Sequence, residues 1–296
     1  MTAASDRLLR RLEWQVLRRL DGRLQGGHRT VWRGVGIDFA DLRAYTPEDD
    51  VRHIDWNVTA RMDEPFVRQY TEDRELTAWL VLDRSASMRV GGGDAPGKES
   101  VLTELAICLA RLLSQHGNRV GAILYDNRHQ RVIPPRAGRN QILRLAHELD
   151  RPVPADAHGA TTDLAAMLRL AATTSRRRSL FLVLSDFIGE PGWERALTLL
   201  AHRHEVVAVR IVDPAELRLP DLGLVVIEDA ETGEQLLVDT GDPLLRRRFR
   251  AQAREREAAL DGAVTRAGAV AHRVTTDTDL VDALVGMVHR SRRRPR

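Results

Sequence analysis

The stretch Leu76-Thr77-Ala78-Trp79-Leu80-Val81-Leu82-Asp83-Arg84-Ser85-Ala86-Ser87-Met88 decides the fold. A short apolar run ends at a carboxylate and passes at once into small residues bearing hydroxyls. A strand buried on both faces of a parallel sheet reads as such an unbroken run, not as an alternation. The pattern returns at Ser179-Leu180-Phe181-Leu182-Val183-Leu184-Ser185-Asp186, where a second apolar run again meets an aspartate.

Outward from these two strands, apolar runs alternate with amphipathic helices. Strands are expected at 76–82, 120–125, 179–184, 206–212 and 270–275, with 130–133 as an edge strand. Helices are expected at 98–115, where Leu102, Leu105, Leu109, Leu112 and Leu113 make the buried stripe, and at 139–149, 162–175, 192–203, 243–267 and 279–289. Residues 223–239 read as a hairpin turning at Glu231-Thr232-Gly233. Such alternation predicts an α/β, Rossmann-like architecture: a mostly parallel central sheet with helices on both faces. In such sheets ligands bind beyond the carboxyl ends of the strands, where strand order reverses. Ahead of it, 6–20 is expected as a basic amphipathic helix with Leu9, Leu12, Val16 and Leu20 on one face, packed on its own protein, and 38–75 as short strands and loops. The chain thus divides into an N-terminal subdomain over 1–75, the main domain over 76–290 and an arginine-rich tail over 291–296.

The chemistry collects at the strand ends. Asp83 is followed by Ser85 and Ser87, an Asp-x-Ser-x-Ser whose alternate residues can aim at one point. Asp186 ends the second strand. The loop Gly159-Ala160-Thr161-Thr162-Asp163-Leu164 opens a helix and offers a threonine hydroxyl. Thr161 is an alternative to Thr162, which the neighbouring Asp163-Leu164 favours. Two carboxylates and three hydroxyls form an all-oxygen set, which suits Mg²⁺ or Mn²⁺ and not zinc or copper. Two carboxylates balance the ion's charge, and neutral hydroxyls leave it electrophilic enough to accept one more carboxylate. The set therefore predicts a docking point for an acidic residue of a protein partner.

The 296 residues carry a net charge of only +3, and five of the positive charges sit at Arg290, Arg292, Arg293, Arg294 and Arg296. The body is not a basic nucleic-acid binder. Eight arginines face three acids in residues 1–37, and eleven acids face five arginines in 38–75. Lys98 is the sole lysine, and Cys108 the sole cysteine, which excludes disulfide frameworks and cysteine-based zinc sites. No apolar run approaches the ~20 residues that span a bilayer. The opening MTAASDRLLRRLEW has no apolar signal core, so a cytoplasmic protein is expected.

Weaker signals point elsewhere. Gly92-Gly93-Asp94-Ala95-Pro96-Gly97-Lys98-Glu99 nearly spells a phosphate-binding loop, but Glu99 stands where Ser or Thr must reach magnesium. A Mg²⁺-dependent phosphohydrolase using Asp83 as nucleophile is an alternative; it lacks a second carboxylate at position 85. A third reading has the arginine tail binding RNA or an anionic lipid surface.

Asp83, Ser85, Ser87, Thr162 and Asp186, in that order along the chain, make the pattern of a metal-ion-dependent adhesion site. The region from about 76 to 290 resembles a von Willebrand factor A-type domain. The preceding segment sharpens the resemblance. Gly34-Val35-Gly36-Ile37-Asp38-Phe39-Ala40-Asp41-Leu42-Arg43-Ala44-Tyr45-Thr46-Pro47-Glu48-Asp49-Asp50-Val51-Arg52-His53-Ile54-Asp55-Trp56 and its continuation through Arg61, Arg68, Tyr70 and Glu72 resemble the signature of the domain-of-unknown-function-58 family. The resemblance implies that Asp83, Ser85, Ser87, Thr162 and Asp186 carry a Mg²⁺ or Mn²⁺ ion. It also implies that the protein is a non-enzymatic adaptor for a MoxR-type AAA+ ATPase in chaperone-like assembly or remodelling. Many relatives carry transmembrane helices ahead of the signature, and none is seen here. Arg43, Arg52, Arg61 and Arg68 interleave with Asp41, Asp49, Asp50 and Asp55 and are expected to form a polar lattice anchored by Trp56 and Tyr45.

Overall fold

A computed structural model describes residues 38–46, 49–51, 54–62, 64–71, 76–89, 96–114, 117–126, 129–152, 162–228 and 233–291. The expected 6–20 helix, the loop from 90 to 95, Thr161 and nearly all of the arginine tail lie outside them. The described chain falls into two compact units, the smaller ending at Leu76 and the larger beginning at Thr77.

In the smaller unit, β1 (Asp38–Ala44) pairs antiparallel with β2 (Phe66–Thr71), with a register shift between Phe39 and Asp41. Between them runs a helix, α1 (Trp56–Met62), where only strands and loops were expected. Its seven residues are too few to display a helical period. Its start is local chemistry: the buried Asp55 accepts a hydrogen bond from Val58 N at 3.3 Å. Asp49 likewise accepts from Thr46 N and Thr46 Oγ1, both at 2.9 Å. Trp56, expected as an anchor, is 68% exposed. The arginine and aspartate side chains at 41, 43, 52 and 68 lie outside the described ones.

The larger unit is built on six strands: β3 (Thr77–Asp83), β4 (Arg119–Asp126), β5 (His129–Arg136), β6 (Leu180–Ser185), β7 (Glu205–Val212) and β10 (Val270–Thr275). Their order is β10-β7-β6-β3-β4-β5. Every pairing is parallel except β4–β5, which places the expected edge strand antiparallel at one side. The helices are α2 (Ala86–Arg89), α3 (Lys98–Ser114), α4 (Arg139–Leu149), α5 (Leu164–Thr174), α6 (Trp193–Arg203), α7 (Pro214–Leu217), α8 (Pro243–Arg266) and α9 (Leu280–Ser291). Among the described residues the hairpin of β8 (Leu224–Glu228) and β9 (Gln235–Asp239) pairs with no other strand, and Leu224, Val226, Leu236 and Leu237 are exposed.

The continuous apolar strands are explained by burial on both faces. Trp79 and Val81 of β3 join Phe181 and Val183 of β6 in a core closed by Leu164, Met167 and Leu168 of α5 and by Leu197 and Leu200 of α6. Leu80 and Leu82 alternate to the other face, on which α3 buries Leu102, Leu105 and Leu109. Burying a side chain of this size contributes about 1.5–3 kcal/mol. Strand order reverses between β3 and β6. The chain leaves β3 for β4 on one side, and β6 lies on the other. The two aspartates therefore arrive side by side at the switch point, where the sequence pattern places a site.

Candidate metal centre

Register does the positioning. Leu82 of β3 pairs with Leu184 of β6, so the next residues, Asp83 and Ser185, end adjacent strands together. Asp83 is 0% exposed. Its Oδ1 accepts from Ser85 N at 3.0 Å, and its Oδ2 accepts from Ser185 Oγ at 2.6 Å. Burial first, and then the charge of Asp186, push the Asp83 carboxyl up to about 6, against the opposing hydrogen bonds from Ser185 and Ser85. A nearby positive charge would favour the ionised form of both carboxylates.

Ser85 Oγ and Ser87 Oγ, both buried, stand 3.0 Å apart. That is hydrogen-bonding distance. It is also the spacing of neighbouring ligands around an octahedral ion at about 2.1 Å, which lie about 3.0 Å apart. The donor set fits a hard divalent cation on this ground. Asp186, fully buried, accepts from Ile188 N through Oδ1 at 3.0 Å. Phe187, between them, adopts φ 55°, an unusual conformation for a bulky residue. It is held there by its N–H donating to Ser185 Oγ at 2.9 Å.

Thr162 is buried, and its carbonyl accepts from Glu190 N at 3.0 Å and from Leu164 N at 3.1 Å. Gly189 packs so closely that a Cβ there would lie 2.4 Å from the Thr162 carbonyl oxygen. Thr162 is thus fastened to the loop that follows Asp186. The cap of α5 is Asp163, which accepts from Ala166 N at 2.7 Å, and not the threonine. The structure brings Asp83, Ser85, Ser87 and Asp186 together and holds the Thr162 backbone to the loop after Asp186. Among the described residues, no three His, Cys, Asp or Glu side chains are grouped to hold an ion by themselves, so the hydroxyls are essential to the candidate set.

Several partners were not singled out from sequence. Lys98, at the start of α3, is 3% exposed and donates to Asp186 Oδ2 at 2.8 Å and to Glu216 Oε1 of α7. Burial lowers its proton affinity, but attraction to Asp186 and Glu216 outweighs this and leaves the ammonium more basic than usual. Burial raises the Glu216 carboxyl, with Lys98 opposing it. Glu99, the next residue of α3, accepts from Arg84 at 2.7 Å, and Arg84 also reaches the Arg151 carbonyl at 3.1 Å. The α3 N-terminus is therefore tied to the Asp83 loop and to the Asp186 loop by ion pairs of opposite polarity. Its being the sole lysine in an arginine-rich chain marks Lys98 in the sequence but names neither partner.

A six-stranded, mostly parallel sheet with one antiparallel edge and helices on both faces is a Rossmann-like α/β fold, with the candidate centre at its switch point. The chain belongs to the family described as "Protein of unknown function DUF58", whose model matches residues 41–259. It is 37% identical over 285 residues to the uncharacterized protein Mb1516 of Mycobacterium bovis, covering 96% of this chain and 89% of that one. The uncharacterized protein Rv1480 of Mycobacterium tuberculosis matches to the same extent. Among solved structures, an aerotolerance-related membrane protein from Bacteroides fragilis shares 14% identity at a TM-score of 0.50, covering 74% of this chain and all of that one. The SpRpn10 VWA domain shares 15% identity at a TM-score of 0.38, covering 72% of this chain and 94% of that one. Among the described residues no helix is long and apolar enough to cross a membrane.

Proposed function

We propose that this protein is a non-enzymatic, cytoplasmic, divalent-cation-dependent adaptor. Asp83, Ser85, Ser87, Thr162 and Asp186 hold Mg²⁺ or Mn²⁺, and an acidic side chain of a partner completes the ion's shell. The observation that carries this reading is the meeting of two buried strand-end carboxylates with a serine pair spaced 3.0 Å apart. The ion supplies a positive charge that the hydroxyls do not quench. The chain's own residues orient it: Ser185 and Ser85 N fix the Asp83 carboxylate, and Ile188 N fixes Asp186. The partner implied by the family resemblance is a MoxR-type AAA+ ATPase, with the adaptor presenting or remodelling a client. The test is co-purification of the two proteins in Mg²⁺ and in EDTA, with wild type and with Ser85→Ala/Ser87→Ala. A complex lost in EDTA and in the variant supports the reading. A complex indifferent to both overturns its metal dependence, and no complex in Mg²⁺ overturns the choice of partner.

The ammonium of Lys98 beside Asp186 favours a second reading, a Mg²⁺-dependent phosphohydrolase with Asp83 as nucleophile. Against it, Asp83 is fully buried and both its oxygens accept hydrogen bonds. Turnover of a phosphate ester that is abolished in Asp83→Asn would establish it; a blank across a broad panel removes it.

A further inference from the structure

Lys98 and Glu216 belong to no part of the predicted ligand set, yet they meet at its edge. The chain uses arginine wherever else it needs a strong base, and lysine only here. The position is 3% exposed and lies between two carboxylates. A compact ammonium meets both with its rotatable donors, whereas a guanidinium is a wider planar fork. Charge points the same way. Asp83, Asp186 and Glu216 against Lys98 leave two negative charges, those that one divalent ion neutralises.

We infer that Lys98 is a tethered counter-ion of the candidate metal centre, which competes with the divalent ion for Asp186. This rests on the reading of Asp186 as a metal ligand. In the ion-free protein the ammonium satisfies Asp186 Oδ2 and spares the fold a second uncompensated buried carboxylate. An ion held by Asp83 and Asp186 meets that ammonium as a like charge. Lys98 therefore weakens divalent binding, and divalent binding weakens the Lys98–Asp186 contact; the coupling is reciprocal. Glu216 gives the displaced ammonium a carboxylate to stay on. Because Lys98 begins α3 and the adjacent Glu99 holds Arg84 of the Asp83 loop, occupancy of the site is transmitted to the N-terminus of that helix. Lys98 is a positioning residue that sets the ion concentration at which the site fills.

The experiment compares full-length wild type with Lys98→Met by Mn²⁺ titration and thermal unfolding. Lys98→Met is expected to bind Mn²⁺ at least tenfold more tightly, to melt lower than wild type in EDTA, and to gain more than wild type when Mg²⁺ is added. Mn²⁺ affinity in the variant equal to or weaker than that of wild type overturns the inference and leaves the metal reading standing. Absence of Mn²⁺ binding to both proteins at millimolar ion overturns the metal reading and the inference with it. A wild-type measurement decides the matter if the variant does not fold. The single lysine allows its acylation by a small amine reagent to be followed on one peptide by mass spectrometry. Mg²⁺ is expected to raise that rate several-fold, and further in Glu216→Gln; a rate unchanged by Mg²⁺ overturns the proposed competition.

Discussion

Replacing Asp83 by asparagine in EDTA isolates the electrostatics of the site. The folded protein holds the Asp83 proton up to about pH 6, against 3.8 for the ordinary carboxyl. Because the folded value is the higher one, the stability linked to this group is fully present below 3.8. It is lost as pH rises through about 6. At about 1.4 kcal/mol for each pKa unit, ionising Asp83 in the ion-free protein costs about 3 kcal/mol at neutral pH. Asparagine keeps the shape and does not titrate. The stability difference between variant and wild type should therefore move in favour of the variant by about 2 kcal/mol between about pH 4.5 and 7.5. Urea unfolding followed by circular dichroism at a series of pH values measures it. A difference that stays flat, or one that moves against the variant as for a carboxylate held ionised by a partner, refutes the reasoning.

Three further substitutions probe the frame around the site. Ser185→Ala removes the donor to Asp83 Oδ2 and the acceptor of Phe187 N; it should cost about 1.5–3 kcal/mol in urea unfolding and move the Asp83 midpoint above about 6. Gly189→Ala drives a methyl into the Thr162 carbonyl. It should cost about 1–3 kcal/mol and abolish the Mg²⁺-induced rise in melting temperature while far-ultraviolet circular dichroism stays native. Phe181→Ala opens a cavity between Trp79, whose ring stacks at 6.3 Å, and His204 at 4.7 Å, with an expected loss of about 3–5 kcal/mol by the same unfolding assay.

The sheet was legible because its central strands β3 and β6 are buried on both faces and so read as unbroken apolar runs, which end at Asp83 and Ser185-Asp186. The edge strand expected at 130–133 is the middle of β5, which runs from His129 to Arg136. What the pattern could not show depends on partners distant in the chain. Trp56–Met62 forms a helix because Asp55 caps it and Thr59 Oγ1 accepts from Phe66 N at 3.1 Å, which no seven-residue period reveals. Trp56 looked like an anchor by residue type, but exposure is set by tertiary surroundings. Lys98 stands out in the sequence as the sole lysine and as the end of a defective phosphate loop, but neither signal points to Asp186, 88 residues away, to which the fold carries it. Glu216 sits in Asp213-Pro214-Ala215-Glu216, which reads as an ordinary helix start; Asp213 does cap it, accepting from Ala215 N at 2.8 Å. Nothing local marks that glutamate as the lysine's second partner.

We propose that five oxygen-bearing side chains hold one hard divalent cation. Titration of the full-length protein with Mn²⁺, followed by loss of the free-ion electron paramagnetic resonance signal, tests it directly. One ion bound per chain, displaced by Mg²⁺ and lost in Ser85→Ala/Ser87→Ala, is the predicted result. No binding at millimolar Mn²⁺, or binding that survives removal of both hydroxyls, contradicts it.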